Sequence, residues 1–600
     1  MGIYSILPES IEEVDVIIVG GGCSGCIVAS RLSDADPSLS ILIIEGGTNN
    51  RHVHELTRPA YLMSGLAPGN KYNLFYKAAE SEALAGRELV VPSGGVLGGG
   101  SSVNLMVYTR AQRSDFESWD MAGWSADDMM HYMNKLETYH GPDEESRHGS
   151  TGPIHVTGRV YSPRLQNDFI DAASSMGWPE IPDLQTMDAV NGVQRAMRYV
   201  GVDGKRQDTA RQYLHPRLED GQHPNLHVLL ESNVKRVIFD GQRAIGVEYQ
   251  PNLVFQSATP DFIRDIKARR MVVISCGALG TPLVLERSGV GDPTILSQTG
   301  VLSVANVPGV GRNYQDHQMV VYSYDSSLSR EETLDAIIRG GPGAEDIIAK
   351  NISILGWNSV DAYCKLRPRE EDIRYLGPEF EKAWHEEFQH QPDRPLMMAS
   401  LSACFPANPP WLPESQYFSI AAFNAYPFSR GHIHITGPTL ADPPNFHTGF
   451  FSDADDLDIK THVWMYKKQR QIARRMNVFK GEVSETHPQF PPGSQAACSG
   501  EPLRADTPDL VYDSEDEKSI DQFLRKNVGT TWHSLGTCRM AAREDGGVVD
   551  ADLNVYGVKG LKVADLSILP KNVAANTANV AMAIGEKAAD IIGRELSIMS

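Results

Sequence analysis

The sequence VDVIIVGGGCSGCIVASRL, residues 14–32, decides the fold class of this chain. Its first six residues form a β-branched run typical of a strand that is buried on both faces of a parallel sheet. Gly20, Gly22 and Gly25 follow at G-x-G-x-x-G spacing, and residues 27–32 continue as a predicted helix. The order of strand, glycine turn and helix predicts an α/β protein with a Rossmann-like nucleotide-binding unit.

A second predicted strand and a carboxylate complete a dinucleotide-binding fingerprint. Residues 39–44 form this strand, and it leads into Glu45, twenty residues beyond Gly25. The glycines permit close approach of a pyrophosphate, the helix N-terminus favours the anion, and the acid accepts hydrogen bonds from a ribose. A glycine-rich turn without a ligand is the alternative, which the accompanying strand, helix and acid disfavour. The fingerprint alone does not separate FAD from NAD.

A second glycine cluster follows about seventy residues later. Residues 92–104, PSGGVLGGGSSVN, contain five glycines, a density that neither helices nor ordinary strands tolerate. We interpret this segment as backbone that lies flat against a ligand, with amide and serine hydroxyl groups as donors. A flexible linker is the alternative, but the apolar residues 105–108 follow directly and are expected to be buried.

Length and charge limit the classes of function. A chain of 600 residues exceeds a single simple core, so we expect at least two large lobes. The 76 acidic residues outnumber the 55 basic ones, and the net charge of −21 would repel nucleic acids and anionic lipid heads. We therefore expect a small-molecule partner, with no nucleic acid and no membrane among the partners.

The sequence predicts an intracellular protein, cytoplasmic or peroxisomal and not secreted. The N-terminus lacks the basic region and apolar stretch of a secretory signal, and no apolar run is long enough to span a bilayer. Seven cysteines, an odd number, argue against a disulfide framework. Cys23 and Cys26 form a C-x-x-C pair, but the glycine turn explains both positions better than a redox dithiol does. Residues 597–600, SIMS, lack an S-K-L-type peroxisomal ending.

Motifs along nearly the whole chain resemble those of the glucose-methanol-choline (GMC) oxidoreductases. Within the family, the motif YKKQRQIARRM (466–476) and several others are most similar to the fungal alcohol (methanol) oxidases. The resemblance implies FAD rather than NAD as the cofactor. The motifs are Gly86-Arg87 with PSGGVLGGGSSVNLMVYTRA (92–111), GALGTPLVLERSGVG (277–291), VPGVGRNYQDH (307–317), YPFSRGHIHI (426–435), TTWHSLGTC (530–538) and NVYGVKGLKVADLSILP (554–570).

The resemblance also implies an architecture. We expect a Rossmann-like FAD-binding domain assembled from discontinuous segments, and a substrate-binding domain with an antiparallel sheet and helices. Strand patterns at residues 226–230 and 271–275, far downstream of the fingerprint, agree with a discontinuous FAD-binding domain. We assign residues 1–160, 206–320 and 521–600 to the FAD-binding domain and residues 161–205 and 321–520 to the substrate-binding domain.

Flavin contacts are implied by the resemblance, position by position. Val103 stands where some family members tether the flavin through a histidine, so we expect the FAD to be non-covalent. On the diphosphate, ribose and adenine side, the matching residues are Ser24, Glu45 and Val234. Around the isoalloxazine, ribityl and pyrimidine groups they are Gly99, Asn104, Leu105, Val107, Trp532, Asp565 and Thr577.

His533 and Asn576 are the candidate catalytic residues. From the residues alone, a satisfied core histidine is the favoured interpretation of His533, and a cap of the last predicted helix that of Asn576. In the family, a histidine that follows an aromatic residue faces the flavin N5, and a His or Asn follows at about this distance. The resemblance therefore implies His533 as the base and Asn576 as its partner.

The expected reaction is oxidation of a primary alcohol to an aldehyde, with hydride passing to the flavin N5. The base is needed because an alkoxide expels hydride more readily than an alcohol does. We expect O2 to be the acceptor, giving H2O2. A dehydrogenase with a quinone-type acceptor and a hydroxynitrile-lyase-like flavoprotein without redox turnover stay open. The sequence also leaves a homo-oligomer open.

Two further observations refine these expectations. The methanol-using oxidases carry Phe at the position of Leu105, so we expect a larger pocket and a preference for primary alcohols larger than methanol, either aliphatic or aromatic. His432 and His434 alternate along a predicted strand without a convincing third ligand, so no metal is expected. Asp316 and His317 resemble a family loop motif, to which we assign a structural role.

Overall fold

The computed structural model describes residues 2–67, 69–143, 146–256, 262–499 and 508–599. The strands are β1 (Gly2–Tyr4), β2 (Glu13–Val19), β3 (Ile41–Ile44), β4 (Asn73–Lys77), β5 (Val90–Gly94), β6 (Glu137–Tyr139), β7 (Ile154–Val156), β8 (Gly192–Arg195), β9 (Leu226–Leu229), β10 (Ser232–Asp240), β11 (Arg243–Pro251), β12 (Arg264–Ile274), β13 (Val290–Gly291), β14 (Ala305–Asn306), β15 (Gln318–Ser326), β16 (Val360–Leu366), β17 (Met397–Ser402), β18 (Tyr417–Asn424), β19 (His432–His434), β20 (Asn445–His447), β21 (Phe479–Glu482), β22 (Gly529–Thr530) and β23 (Leu561–Val563). The helices are α1 (Cys23–Ala35), α2 (His54–Thr57), α3 (Gly100–Val103), α4 (Arg113–Glu117), α5 (Ala126–Leu136), α6 (Pro163–Ser175), α7 (His215–Glu219), α8 (Gly277–Arg287), α9 (Pro293–Gln298), α10 (Asp335–Arg339), α11 (Pro342–Lys350), α12 (Glu370–Tyr375), α13 (Pro378–Glu387), α14 (Leu457–Arg475), α15 (Ser514–Asn527) and α16 (Ala578–Glu595).

The first large sheet contains the fingerprint strand. Its order is β1-β9-β3-β2-β12-β11-β10, and β23 pairs with β12. The pairs of β2 with β3 and β12 are parallel, and residues 16–19 are almost wholly buried, as a β-branched strand covered on both faces should be. Helices α1 and α16 pack against each other beside this sheet. The predicted strand and glycine turn are thus confirmed.

The second large sheet is antiparallel. Its order is β21-β15-β18-β17-β16-β8, and β22 pairs with β15. Helix α14 packs on one face, where the ring of Tyr322 lies 5.2 Å from that of Tyr466 and the hydroxyl of Tyr324 donates to Gln469 Oε1 at 2.7 Å. Because β8, β15–β18, β21 and β22 build one sheet, this unit combines segments that are hundreds of residues apart.

The mixed α/β fold with two unlike sheets confirms the predicted fold class. Asp513 caps α15 and accepts from the backbone N–H groups of Glu515 and Asp516. The domain boundaries themselves stay a prediction. None of the helices within the described ranges combines the length and apolarity that crossing a membrane requires.

Candidate functional site

The two candidate catalytic residues meet between the sheets, although 43 positions separate them. His533 follows β22, which pairs with the start of β15, and Asn576 lies just before α16. The residue before His533, Trp532, has a φ of +63°, a conformation that is uncommon for a bulky side chain and is typically retained at functional sites. The backbone N–H of His533 donates to Asp316 Oδ1 at 3.0 Å, which fixes the loop.

A second histidine determines which nitrogen of His533 carries the proton. Nε2 of His317 lies 3.1 Å from the carbonyl oxygen of Ala425 and 2.9 Å from that of Val573. Carbonyls only accept, so this nitrogen carries hydrogen, and Nδ1 of neutral His317 is an acceptor. Nδ1 of His533 lies 2.8 Å from it and therefore donates. Nε2 of His533 is left unprotonated, the state that a base requires.

Thr109 orients the amide of Asn576. The hydroxyl of Thr109 accepts from the backbone N–H of Asn576 at 2.7 Å and donates to its Oδ1 at 3.1 Å. The amide nitrogen, Nδ2, therefore faces Nε2 of His533 at 3.3 Å. One acceptor and one donor point to the same place, an arrangement that can bind a hydroxyl group through its hydrogen and its oxygen.

Burial sets the charges of this cluster. Burial, with the neighbouring His317 second, lowers the pKa of His533 well below its ordinary value. Burial likewise lowers the pKa of His317 to about 4, so both rings are neutral near pH 7. Burial raises the pKa of Asp316 to about 7, although it accepts from Thr530, Tyr314 and the backbone of His533.

The two glycine clusters touch each other. The backbone N–H of Gly98 donates to Gly21 O at 2.7 Å, and a Cβ on Gly99, whose φ is +52°, would lie 2.8 Å from Gly22 Cα. A Cβ on Gly20 would lie 2.4 Å from the carbonyl oxygen of Ser275. Only glycines allow this packing, which creates a backbone cradle at the start of α1.

The start of α1 suits an anion. No side chain caps the helix, and its first turn carries no carboxylate, so its N–H groups remain available as donors. Ser24 lies in this turn, and its hydroxyl donates to Ala581 O at 2.8 Å, which ties α1 to α16. Gly25 is needed for the turn, since a Cβ there would lie 2.2 Å from Gly20 O. These observations fit the diphosphate of a dinucleotide.

Two predicted carboxylates border the cradle. Glu45 accepts from the N–H groups of Gly21 and Gly47, each at 2.8 Å, and burial raises its pKa. Asp565 accepts from the N–H of Gly277 at 3.0 Å, at the start of α8, and burial raises its pKa too. Oδ2 of Asp565 also accepts from the hydroxyl of Thr281, so both of its acceptor sites are used. Oδ1 of Asp565 and both oxygens of Glu45 keep accepting capacity for a ribose or ribityl hydroxyl.

The remaining predicted cofactor residues fall in two places. Val234 lies on β10, whose first residue, Ser232, donates its backbone N–H to Glu45 O at 3.0 Å. Thr577 lies next to Asn576 at the start of α16 and is buried. Val234, predicted for the adenine end of the flavin, thus lies near the glycine cradle. Thr577, predicted for the other end, lies near the candidate catalytic pair.

Buried side chains anchor the segment that joins the second glycine cluster to Thr109. Nη1 of Arg206 donates at 2.8 Å to both the backbone oxygen and Oδ1 of Asn104. The amide of Asn358 donates to Leu105 O at 2.7 Å. Leu105 and Val107 pack in one small apolar cluster. This anchoring fixes the backbone beside the candidate catalytic pair.

Sequence reasoning missed part of the site. His317 and Asp316, to which we assigned a structural role, both contact His533 directly. Thr109 lies in the quoted motif of residues 92–111, but nothing local identifies its partner, which is 467 positions away. Arg206 lies in none of the quoted motifs, and its partner is 102 positions away. The family motif ending in Asp316-His317 was the one available indication.

The histidines of β19 do not form a metal centre within the described residues, where no cluster of three or more His, Cys, Asp or Glu side chains could hold an ion. His434 is instead engaged with Glu286 through Nδ1 and Oε1 at 2.6 Å. The cysteines of the glycine turn, Cys23 and Cys26, are both free thiols.

Comparison with protein families gives two matches. The N-terminal GMC oxidoreductase model matches residues 14–319, and the C-terminal GMC oxidoreductase model matches residues 427–585. Both candidate catalytic residues fall in the second region, and the glycine clusters fall in the first.

Relatives match over almost the whole chain. Alcohol oxidase 1 of Komagataella phaffii is 36% identical, with 98% of this chain and 95% of that protein covered. The alcohol oxidase of Candida boidinii is 35% identical at the same coverage. An alcohol dehydrogenase [acceptor] of Pseudomonas putida is 28% identical, covering 98% of this chain and 97% of that protein.

Solved structures agree on the fold. A formate oxidase variant of Aspergillus oryzae superposes with a TM-score of 0.82 at 22% identity, covering 98% of this chain and 99% of that one. A fungal aryl-alcohol oxidase superposes with a TM-score of 0.74 at 22% identity, covering 98% and 100%. At these identities the likeness shows the fold alone.

Proposed function

Because the chain belongs to the GMC oxidoreductase family and is an FAD-dependent oxidoreductase acting on CH–OH donors, we propose that it is a primary-alcohol oxidase. The overall reaction is RCH2OH + O2 → RCHO + H2O2. The alcohol loses two electrons and two protons, and O2 gains both. The proposal draws on the alcohol oxidases to which the chain is similar across 98% of its length.

The hydrogen-bond chain from two backbone carbonyls through His317 to Nδ1 of His533, which leaves Nε2 of His533 as the base, is the observation that carries this proposal. Bound FAD supplies the acceptor for the hydride that leaves the alcohol carbon. Nε2 of His533 takes the hydroxyl proton, and the amide of Asn576, 3.3 Å away, donates to the same oxygen and stabilises the developing alkoxide. His317 accepts the Nδ1 hydrogen of His533 throughout and so maintains the productive tautomer.

The glycine cradle and its carboxylates are the groups that would hold FAD. The N–H donors at the start of α1 suit the diphosphate, and Glu45 and Asp565 suit hydroxyls of the ribose and ribityl chain. Val103, beside the second glycine cluster, offers no nucleophile for a tether. We propose non-covalent binding on this basis.

O2 is the proposed acceptor because relatives at 36% and 35% identity are named oxidases. A quinone-type acceptor is the second candidate, supported by a relative at 28% identity that is named for an acceptor. We further propose a small alcohol and O2 as the partners, with neither nucleic acid nor membrane, and a homo-oligomer stays open. The proposed compartment is intracellular, cytoplasmic or peroxisomal.

The test is an H2O2 assay on the purified holoprotein. Primary alcohols should yield one H2O2 per aldehyde in air, without any added acceptor. Turnover that requires a quinone or a dye, with no H2O2 formed, would contradict the oxidase proposal and favour the dehydrogenase.

A further inference from the structure

The antiparallel sheet presents one row of side chains directly to His533. In this row Met319 lies opposite Phe423, and Phe423 lies opposite Met398, so all three occupy the same face. The ring of Phe423 lies 5.9 Å from that of His533 at an angle of 71°. This face of the sheet therefore borders the candidate base.

The next row on the same face lies farther from His533. Val321 lies opposite Ala421, and Ala421 lies opposite Ser400. A step of two residues along a strand advances about 6.8 Å, so this row lies one such step beyond Met319 and Phe423. The side chains of both rows are apolar or small and uncharged.

The two faces of these strands differ in burial. On the face covered by α14, Val320 is 3% exposed, Tyr322 1% and Ala422 0%. On the face that borders His533, Met319 and Val321 are half-buried, as are Ala421 and Ser400. Phe423 and Met398 on this face are only 2% and 3% exposed, so its accessible part is confined to the half-buried residues just named. An antiparallel sheet commonly keeps one face accessible, and here the accessible part adjoins the row that contacts His533.

The cation beside the first row, Lys365, is already engaged. Lys365 lies opposite Met398, and its Nζ donates to Arg110 O at 2.8 Å and to Gln112 Oε1 at 2.6 Å. Burial lowers the pKa of Lys365 to about 8. Lys365 is therefore not available to an acidic substituent, and the two rows themselves, which carry no charge, favour a hydrocarbon.

Resting on the proposed function, we propose that the alcohol lies along this face, with its hydroxyl at His533 and an unbranched apolar tail over Met319, Val321 and Ala421. The two rows span the length of about six carbons, given a strand rise of roughly 3.4 Å per residue. Medium-chain primary alcohols are the substrate class that this face fits, with Val321 and Ala421 as the specificity-determining residues.

The experiment compares kcat/KM for methanol, ethanol, butanol, hexanol and octanol in the holoprotein. In the wild type, the value should rise by about fourfold per added methylene up to hexanol, which corresponds to ~0.8 kcal/mol each. Val321→Phe should lower the ratio of hexanol to ethanol by about tenfold or more, because the ring occupies the second row. The FAD content of this variant should match that of the wild type.

The matched control is Val202→Phe, the same substitution at a residue that is 78% exposed and lies outside this sheet. A second variant, Ala421→Leu, should shorten the preferred chain in the same way as Val321→Phe. Equal hexanol-to-ethanol ratios of kcat/KM in Val321→Phe and Val202→Phe would overturn the inference while leaving the oxidase proposal intact. A wild-type kcat/KM that is highest with methanol would do the same. Failure of every alcohol to reduce the flavin would overturn both.

Discussion

At the residue scale, the central feature is a hydrogen-bond chain that fixes a tautomer. Two backbone carbonyls force the hydrogen of His317 onto Nε2, and this leaves Nδ1 to accept from His533. The two histidines are 216 positions apart, so no local pattern could have indicated the contact. His533 and Asn576, in contrast, were predictable, because a family motif surrounds one and the spacing to the other is characteristic.

Replacing His317 tests this chain. In His317→Ala, Nδ1 of His533 loses its acceptor, and the tautomer with hydrogen on Nε2 becomes accessible. That tautomer cannot take a proton from the alcohol. We expect anaerobic flavin reduction to slow by about 100-fold or more, with FAD content unchanged. His317→Asn, whose amide can still donate to the carbonyls and accept at Oδ1, should recover part of the rate.

A pH profile separates positioning from a merely structural role. Burial lowers the folded pKa of His533 well below 6.5, so the base form persists above that value and the acid limb of kcat/KM should lie well below pH 6.5. Since His317 contributes to the low pKa of His533, His317→Ala should shift the pH at which the acid limb of kcat/KM falls. A limb near pH 7 that vanishes in Asp316→Asn would instead report Asp316, whose pKa is about 7. Unchanged rate and profile in His317→Ala would contradict the tautomer account.

At the element scale, the sequence predicted the fingerprint closely. The expected strand at residues 14–19 is observed as β2, Glu13–Val19, and the expected C-terminal helix as α16, Ala578–Glu595. The contact between the two glycine clusters was not predictable, since it depends on how the loop after β5 folds back onto the turn before α1. Glycine content indicated close approach, but it did not identify the partner.

Gly99→Ala tests the contact between the clusters. The new Cβ would lie 2.8 Å from Gly22 Cα. In addition, the positive φ of this residue costs alanine about 1–3 kcal/mol of backbone strain. The turn must shift, so we expect a large loss of bound FAD, measured as the flavin-to-protein ratio after purification. Gly65→Ala is the matched control, because its Cβ would meet no atom within 4 Å. Full flavin loading of Gly99→Ala would contradict this role for the cradle.

At the scale of the whole molecule, the site is the product of long-range assembly. The first sheet, which mixes parallel and antiparallel pairs, takes strands from residues 2–274 and then β23 from residues 561–563. The antiparallel sheet takes β8, β15–β18, β21 and β22. His533 and Asn576 lie in the segment between β22 and α16, which passes from one sheet to the other. The fold class and the discontinuity were predictable from motif order, whereas the packing of the sheets depends on contacts that no local pattern encodes.

The most direct test of the account is anaerobic reduction of the bound flavin by primary alcohols. The loss of the yellow flavin absorbance measures this reduction. Wild-type holoprotein should bleach with at least one alcohol and regain its colour when air is admitted. His533→Ala should retain the yellow FAD and fail to bleach, because Asn576 alone cannot take the hydroxyl proton. Flavin that stays oxidised in the wild type with every alcohol, or that bleaches equally fast in His533→Ala, would contradict the account.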